Sequence, residues 1–125
     1  MKKVILFLLI LFLYNPASAK HQYLEKEYQA EWCKAKSGML EYTLPDKARI
    51  DCLLPDMAIE FDFAPKWAEC IGQALYYSAM TERAPACVLI IEKKGDLKYV
   101  NRLNKAIENI TPFYIFTTTP AQLTR

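Results

Sequence analysis

Histidine is almost absent from this chain: His21 is the only one among 125 residues. A Ser/His/Asp triad, a Cys/His protease and a histidine-rich zinc site all need imidazole at the reacting centre. No CxxC spacing occurs either, which argues against the usual structural zinc motifs. Any chemistry in this chain must therefore use carboxylate, lysine, cysteine or tyrosine side chains.

Glycine is also scarce, with three residues, and no low-complexity run occurs. This composition argues against a collagen, a flexible linker protein and a disordered chain. Hydrophobic residues make up 53% and charged residues 24%, which is ordinary for a globular protein. We expect one small domain over residues 20–125, with no internal repeat.

Long hydrophobic runs are missing. The run at residues 4–14 has eleven apolar residues, too few to cross a hydrocarbon core of roughly 30 Å. Two lysines precede it and the small-residue pattern 17–19 follows, which is typical of a secretory signal peptide over residues 1–19. Cleavage between Ala19 and Lys20 predicts a periplasmic or secreted protein with no stable membrane association afterwards.

The chain has no large excess of charge of either sign. It contains 16 basic and 14 acidic residues, and the leader takes two of the basic ones and no acid, so the exported part is balanced. A neutral chain lacks the basic bias that binds phosphate backbones without sequence preference. Affinity for nucleic acid must therefore be local or assisted by a metal.

Four cysteines lie in the exported part, where an oxidising compartment allows disulfides. All four can pair in three ways. We favour Cys33–Cys52, because both residues flank a short hairpin region and the bond would contribute about 3 kcal/mol by loop closure. For Cys70 and Cys87 the alternative is that they are buried thiols.

Hydrophobic periodicity predicts eight elements in the order α-β-β-β-α-β-α-β. They are a helix at 22–36, strands at 39–44, 48–53 and 57–63, a helix at 65–80, a strand at 86–92, a helix at 97–108 and a strand at 111–119. Three consecutive strands predict an antiparallel meander, and the helix that follows predicts a parallel strand. The expected class is α/β: a mixed β-sheet flanked by helices, with an αβββαβ core plus a C-terminal helix and strand.

Carboxylates alternate with apolar residues along the second and third strands. In the register that pairs Leu53 with Ala58, Asp51 faces Glu60. Opposed carboxylates have Cβ atoms about 4.5 to 5.5 Å apart and repel each other unless a proton or a cation lies between them. The alternative is that these acids line a solvent-facing surface of the sheet. A lysine at the start of the next helix, Lys66, favours a shared site because it can reach the pair.

Five of these residues together resemble a known family. Asp51 in the segment RIDC, Glu60 in IEFD, the nearby Lys66, and Gln73 and Tyr77 in QALYY resemble the PD-(D/E)XK nuclease superfamily. The QxxxY pattern is similar to the helix motif of its RecB-type exonuclease branch. The αβββαβ order also matches the restriction-endonuclease-like core, and the resemblance covers about half of the exported part.

The resemblance implies a role for each residue. Asp51 and Glu60 would bind Mg²⁺ or Mn²⁺, Lys66 would be the catalytic lysine, and Gln73 and Tyr77 would line the substrate side. In such a site the metal lowers the pKa of a water and neutralises charge on the phosphate. The implied partner is nucleic acid, with DNA as the expected substrate.

Two further acids have two interpretations each. The family lysine normally stands two residues after the glutamate, where this chain has Asp62, so Lys66 would be a migrated substitute. Asp62 is either a third metal ligand or the salt-bridge partner of Arg49, and we favour the salt bridge. Glu41 resembles an upstream acid that some branches use as a metal ligand, and a structural role at the surface is the alternative.

Two hypotheses follow for the function. The first is an exported, metal-dependent nuclease-like protein that hydrolyses phosphodiester bonds. The second is a catalytically inactive periplasmic binding or interaction module that keeps the nuclease fold. The neutral charge of the exported part, its small size and the displaced lysine favour the second hypothesis.

Overall fold

A computed structural model describes residues 20–124, so the predicted signal peptide lies outside the described residues. The helices are α1 (Glu25–Ala35), α2 (Trp67–Thr81) and α3 (Leu97–Ile107). The strands are β1 (Met39–Thr43), β2 (Arg49–Leu53), β3 (Met57–Phe63), β4 (Ala84–Ile90) and β5 (Tyr114–Thr118). Short 3₁₀ turns occur at Ala64–Lys66, Lys94–Asp96 and Pro120–Gln122. The order of helices and strands is the predicted one.

The five strands form one mixed sheet in the order β1-β2-β3-β4-β5. β1, β2 and β3 pair antiparallel as a meander, and β3, β4 and β5 pair parallel. The parallel pairs are connected through α2 and α3, as parallel strands require a crossover. The predicted α/β class, with a mixed sheet flanked by helices, is confirmed.

The helices cover opposite faces of the sheet. Cys33 and Trp32 of α1 pack with Phe61 and Val88 on one face. Residues of α2 and α3, among them Ala74 and Leu103, pack with strand residues on the other face. Because helices cover both faces, β3 and β4 are buried on both sides, as the continuous apolar run in β4 predicts.

β4 begins two residues earlier than predicted and includes Pro85. The Ala84 N–H donates to the Asp56 carbonyl on the β3 side over 3.0 Å, so the nitrogen of Pro85 faces the other side. β5 pairs with β4 only from Ala86 onward. The missing N–H of Pro85 therefore removes no hydrogen bond from the sheet.

Two disulfides connect helices to strands. Cys33–Cys52 joins α1 to β2 and is the pair that the sequence favoured. Cys70 and Cys87 are not thiols: they join α2 to β4, whose Cα atoms at these positions lie 6.0 Å apart because the helix packs directly on the strand. Within residues 20–124, no helix is long and apolar enough to cross a membrane.

Candidate functional site

The β2–β3 ladder is short and opens beside Asp51. Leu53 pairs with Ala58 as predicted, and Cys52 pairs with Ile59, but the ladder ends there. Instead of a backbone pair between Asp51 and Glu60, the Phe61 N–H donates to the Asp51 carboxylate over 2.8 Å. A side chain thus replaces the next ladder bond and keeps the Phe61 amide satisfied where the strands separate.

The Asp51 carboxyl still meets Glu60 in spite of the interrupted ladder. The two carboxyl groups are within hydrogen-bonding reach of each other. Glu60 is 6% exposed and Asp62 is 5% exposed. Among the described residues, Glu60 Oε2 and Asp62 Oδ2 are buried without a hydrogen-bond partner. Such orphaned oxygens are costly in a folded protein, and a proton or a cation would satisfy them.

Burial and mutual repulsion raise the pKa of the buried acids. Burial, followed by the charge of Asp51, raises the pKa of Glu60 well above its usual range. Burial also raises the pKa of Asp51, against the opposing effect of the Phe61 N–H. For Asp62, burial and then the charges of Glu25 and other acids raise the pKa to about 7. The cluster therefore holds protons at neutral pH unless a cation replaces them.

Glu25, a residue that the sequence reasoning missed, belongs to this group. It opens α1, and burial followed by the charge of Asp51 raises its pKa. Gln29 lies one turn further along, is 5% exposed, and donates from Nε2 to Glu25 Oε1 over 3.1 Å. A signal for both was available, because Glu25, Gln29 and Cys33 share a helical stripe and the predicted disulfide directs that stripe toward β2.

A cavity of about 500 Å³ lies over the opened end of β2. Its lining includes Asp51, Glu41, Gln73 and Tyr77, four of the residues predicted as ligands or substrate contacts, but neither Glu60 nor Lys66. The remaining lining residues are Glu25, Lys26, Gln29 and Arg49. The Tyr77 hydroxyl donates to Gln73 Oε1 over 3.1 Å, so the two residues of the QxxxY pattern act as one hydrogen-bonded pair in the cavity wall.

Glu41 and Arg49 form an ion pair at the cavity. Their closest nitrogen and oxygen atoms are 3.7 Å apart, and both side chains are exposed. The favoured salt bridge between Arg49 and Asp62 is wrong: β2 and β3 separate before Arg49 reaches the position opposite Asp62, and its guanidinium pairs with Glu41 of β1 instead. Glu41 has a φ of 51°, in the left-handed region, at the β1 position opposite Asp51. Backbone strain of this kind occurs often at functional sites.

Lys66 lies at the edge of the acidic cluster. It ends the 3₁₀ turn before α2 and its side chain is exposed. Its charge opposes the rise in the pKa of Asp62 and Glu25. The lysine thus acts most directly on Asp62 and Glu25, rather than on the Asp51–Glu60 pair that the resemblance would place beside it.

Asp51 and Glu60 are the side chains that would hold the implied Mg²⁺ or Mn²⁺. In residues 20–124, no group of three or more histidine, cysteine, aspartate or glutamate side chains is arranged to hold a metal ion. Mg²⁺, however, usually takes one or two protein carboxylates and keeps several waters. Asp51, which lines the cavity, and Glu60, whose Oε2 is buried without a hydrogen-bond partner, fit that partial ligand set. Softer metals would require sulfur or imidazole ligands.

Comparisons with known proteins add no assignment. No protein-family model matches the chain. No curated protein and no solved structure matches it either.

Proposed function

We propose that this protein is a metal-dependent phosphodiesterase that acts on nucleic acid. The observation that carries the proposal is the meeting of the Asp51 and Glu60 carboxyl groups at the opened end of the β2–β3 hairpin. One oxygen of Glu60 is buried there without a partner. The unsatisfied oxygen and the repulsion between the two carboxylates, which contributes to the raised pKa of Glu60, both favour a hard cation between the two acids.

The chain would contribute four kinds of group to the reaction. Asp51 and Glu60 would hold Mg²⁺ or Mn²⁺, which supplies Lewis-acid chemistry and neutralises charge on a phosphate. Lys66, exposed at the edge of the cluster, would bind a phosphate oxygen of the substrate. Gln73 and Tyr77 would position the substrate from the cavity wall.

Protonation would couple to cation binding. Because the raised pKa of Glu60 keeps the apoprotein protonated at neutral pH, binding of a cation must release a proton. Affinity for Mn²⁺ should therefore rise with pH. Asp62 would not bind the cation. It would act on the site through its negative charge, which forms as the pH rises past its pKa of about 7.

A second candidate function is a binding module without catalysis. The observation that favours it is the position of Lys66, whose charge acts on Asp62 and Glu25 while its side chain is exposed. Two disulfides and an oxidising compartment suit such an extracytoplasmic module equally well.

Nicking of supercoiled plasmid DNA tests the proposal. The purified protein should nick the plasmid with Mn²⁺ and not with EDTA, and Glu60→Gln should reduce the rate at least about a hundredfold because it removes one ligand charge. Glu31→Gln, an isosteric change at an exposed position of α1, is the matched control and should keep full activity. Equal nicking by wild type and Glu60→Gln would contradict the proposal, and Mn²⁺ binding without nicking would favour the second candidate.

A further inference from the structure

The solvent-facing side of α3 carries a stripe of basic residues. Lys98, Arg102 and Lys105 are exposed and follow one another at spacings of four and three, so they share one side of the helix. The buried residues Leu103 and Ile107 mark the opposite side. Lys98, Arg102 and Lys105, together with Lys94 in the preceding 3₁₀ turn, are called the α3 basic face here.

Basic residues predominate in the segment that contains this face, whereas acidic residues predominate in the part of the exported chain that precedes it. Residues 93–108 contain five Lys and Arg residues and two Asp and Glu residues. Residues 20–92 contain eight basic and twelve acidic residues. A chain with no net charge thus has a local positive surface. Such a surface can bind nucleic acid even though the composition as a whole is neutral.

The charges of this face are largely available to a ligand. Lys98 Nζ and Arg102 Cζ lie 5.0 Å and 5.4 Å from the centre of the Tyr99 ring, so both cations contact the same exposed side of α3 through one aromatic ring. Neither Lys98 nor Arg102 has a carboxylate within 4.0 Å in the part of the chain that the structure describes. Lys105 is paired with Glu108 at 2.7 Å. Lys98 and Arg102 are therefore the two cations that a ligand would meet.

The neighbouring side chains suit a polar polyanion. Asn101 is exposed beside the cations, and its amide can donate to phosphate and sugar oxygens, whereas the Asn104 amide donates to the Val100 carbonyl over 3.1 Å. Leu97 is the one large apolar side chain of α3 that is strongly exposed. A helix that lies in a membrane surface needs a whole apolar side to insert, whereas the apolar side of α3 is buried on the sheet.

The position of α3 connects this face to the candidate site. α3 contacts the 3₁₀ turn Ala64–Lys66, whose last residue stands at the edge of the acidic cluster. A phosphate chain lying along α3 could therefore continue past Lys66 toward the cavity. The acids of the cavity would repel that chain unless a cation were bound there, so a separate attractive surface is required.

We propose that the α3 basic face binds the sugar-phosphate backbone of nucleic acid and is the docking surface for the substrate of the site described above. The inference rests on the proposed function for its link to cleavage. The binding itself needs neither metal nor catalysis, because it depends on Lys98 and Arg102 and not on the acidic cluster. Binding should be insensitive to sequence and should weaken steeply with salt.

Fluorescence anisotropy of a short labelled DNA duplex, measured in EDTA with protein purified from expression of the full chain, tests this surface. Lys98→Gln/Arg102→Gln should weaken binding about tenfold at low salt and lower the slope of log affinity against log salt by about 2. Lys34→Gln/Lys36→Gln is the matched control: it removes two exposed charges from the end of α1, one of which lies 5.6 Å from the Trp32 ring. This control should bind like wild type.

The outcomes separate the surface from the active site. The proposal that the α3 basic face binds DNA would be overturned if the wild-type protein did not bind DNA. It would also be overturned if both double variants weakened DNA binding equally. Exclusive binding to phosphatidylglycerol vesicles would overturn it as well, since the ligand would then be a lipid surface. Nicking that survives in Lys98→Gln/Arg102→Gln with unchanged DNA affinity would reject the surface and keep the nuclease. DNA binding lost in that variant, without nicking by wild type, would support the surface and reject the nuclease.

Discussion

Asp51 and Phe61 are joined by a hydrogen bond in which the Phe61 backbone N–H donates 2.8 Å to the Asp51 carboxylate. This bond lies where the β2–β3 ladder ends, and it holds the Asp51 carboxyl against Glu60. The same side chain therefore closes a gap in the sheet and supplies half of the candidate cation site. Its two roles can be separated by substitution.

Asp51→Ala and Asp51→Asn should both lose affinity for Mn²⁺, but only Asp51→Ala should be less stable than wild type. Alanine leaves the Phe61 N–H unsatisfied and should lower the free energy of unfolding by about 1–3 kcal/mol. Asparagine keeps an acceptor oxygen and removes a charge beside Glu60, so the protein should be as stable as wild type. Urea unfolding and Mn²⁺ titration calorimetry measure the two effects. If Asp51→Asn retains full Mn²⁺ affinity, Asp51 is not a ligand.

Removal of either disulfide should destabilise the protein, and removal of Cys33–Cys52 should also weaken Mn²⁺ binding. The bonds close loops of similar length, with sequence separations of 19 and 17, so each double alanine variant should lose about 3 kcal/mol. Cys33–Cys52 also holds α1, with Glu25, beside Asp51.

Cys33→Ala/Cys52→Ala should therefore lose Mn²⁺ affinity. Leu103→Ala is the control: it truncates a buried side chain of α3 and should also cost about 2–5 kcal/mol, but the core cluster in which Leu103 packs contains no residue of the candidate site. Calorimetric titration at a temperature where both variants are folded measures the difference. Equal affinities in the two variants would show that the position of α1 does not matter to the site.

Stability without metal should fall as the pH rises through the acidic range to about 7. The pKa of Asp62 is raised from its ordinary value to about 7 and the pKa of Glu60 is also raised, so the folded state holds protons that the unfolded state has already released. The free energy of unfolding therefore decreases with pH above the ordinary carboxyl pKa.

Asp62→Asn should be more stable than wild type at pH 7 and should show a flatter pH dependence, measured by thermal unfolding in EDTA. Added Mn²⁺ should stabilise the wild-type protein most strongly at the higher pH, because the acids of the site are then deprotonated and can bind it. A wild-type protein whose stability in EDTA rises from pH 5 to about 7 would contradict the raised pKa values.

Glu92 should be a strong determinant of stability through the start of α1. Its Oε1 accepts from the buried Tyr28 hydroxyl at 3.0 Å and from the Gln22 N–H at 2.9 Å, and its Oε2 lies 2.8 Å from His21 Nδ1. Glu92→Ala leaves the Tyr28 hydroxyl without an acceptor and should cost about 1–3 kcal/mol.

Glu92→Gln keeps an acceptor oxygen and should cost less than Glu92→Ala. Urea unfolding of both variants, with His21→Ala as the comparison for the exposed partner, gives the order of effects. A loss in Glu92→Gln as large as that in Glu92→Ala would show that Glu92 does not stabilise the protein as an acceptor for the Tyr28 hydroxyl.

The elements of the fold were largely predictable, whereas the contacts of the site were only partly so. Alternation along residues 57–63 predicted β3 with its observed bounds, and the apolar run predicted β4 as a central strand. The pairing of Leu53 with Ala58 was also predicted from the short turn between the strands. Glu25 and the partner of Arg49 were missed because each depends on packing between elements that are distant in sequence.

The sequence by itself determined the order of elements, the mixed sheet and the residues available for chemistry, because periodicity and turn residues act over a few neighbouring positions. The tertiary structure alone decided where β2 leaves β3, which helix end covers the opening and that Cys70 pairs with Cys87. These features depend on how layers pack across the sheet. The end of the β2–β3 ladder at Cys52, which no local sequence pattern predicts, is what places the Asp51 carboxylate on the Phe61 N–H and in the cavity wall.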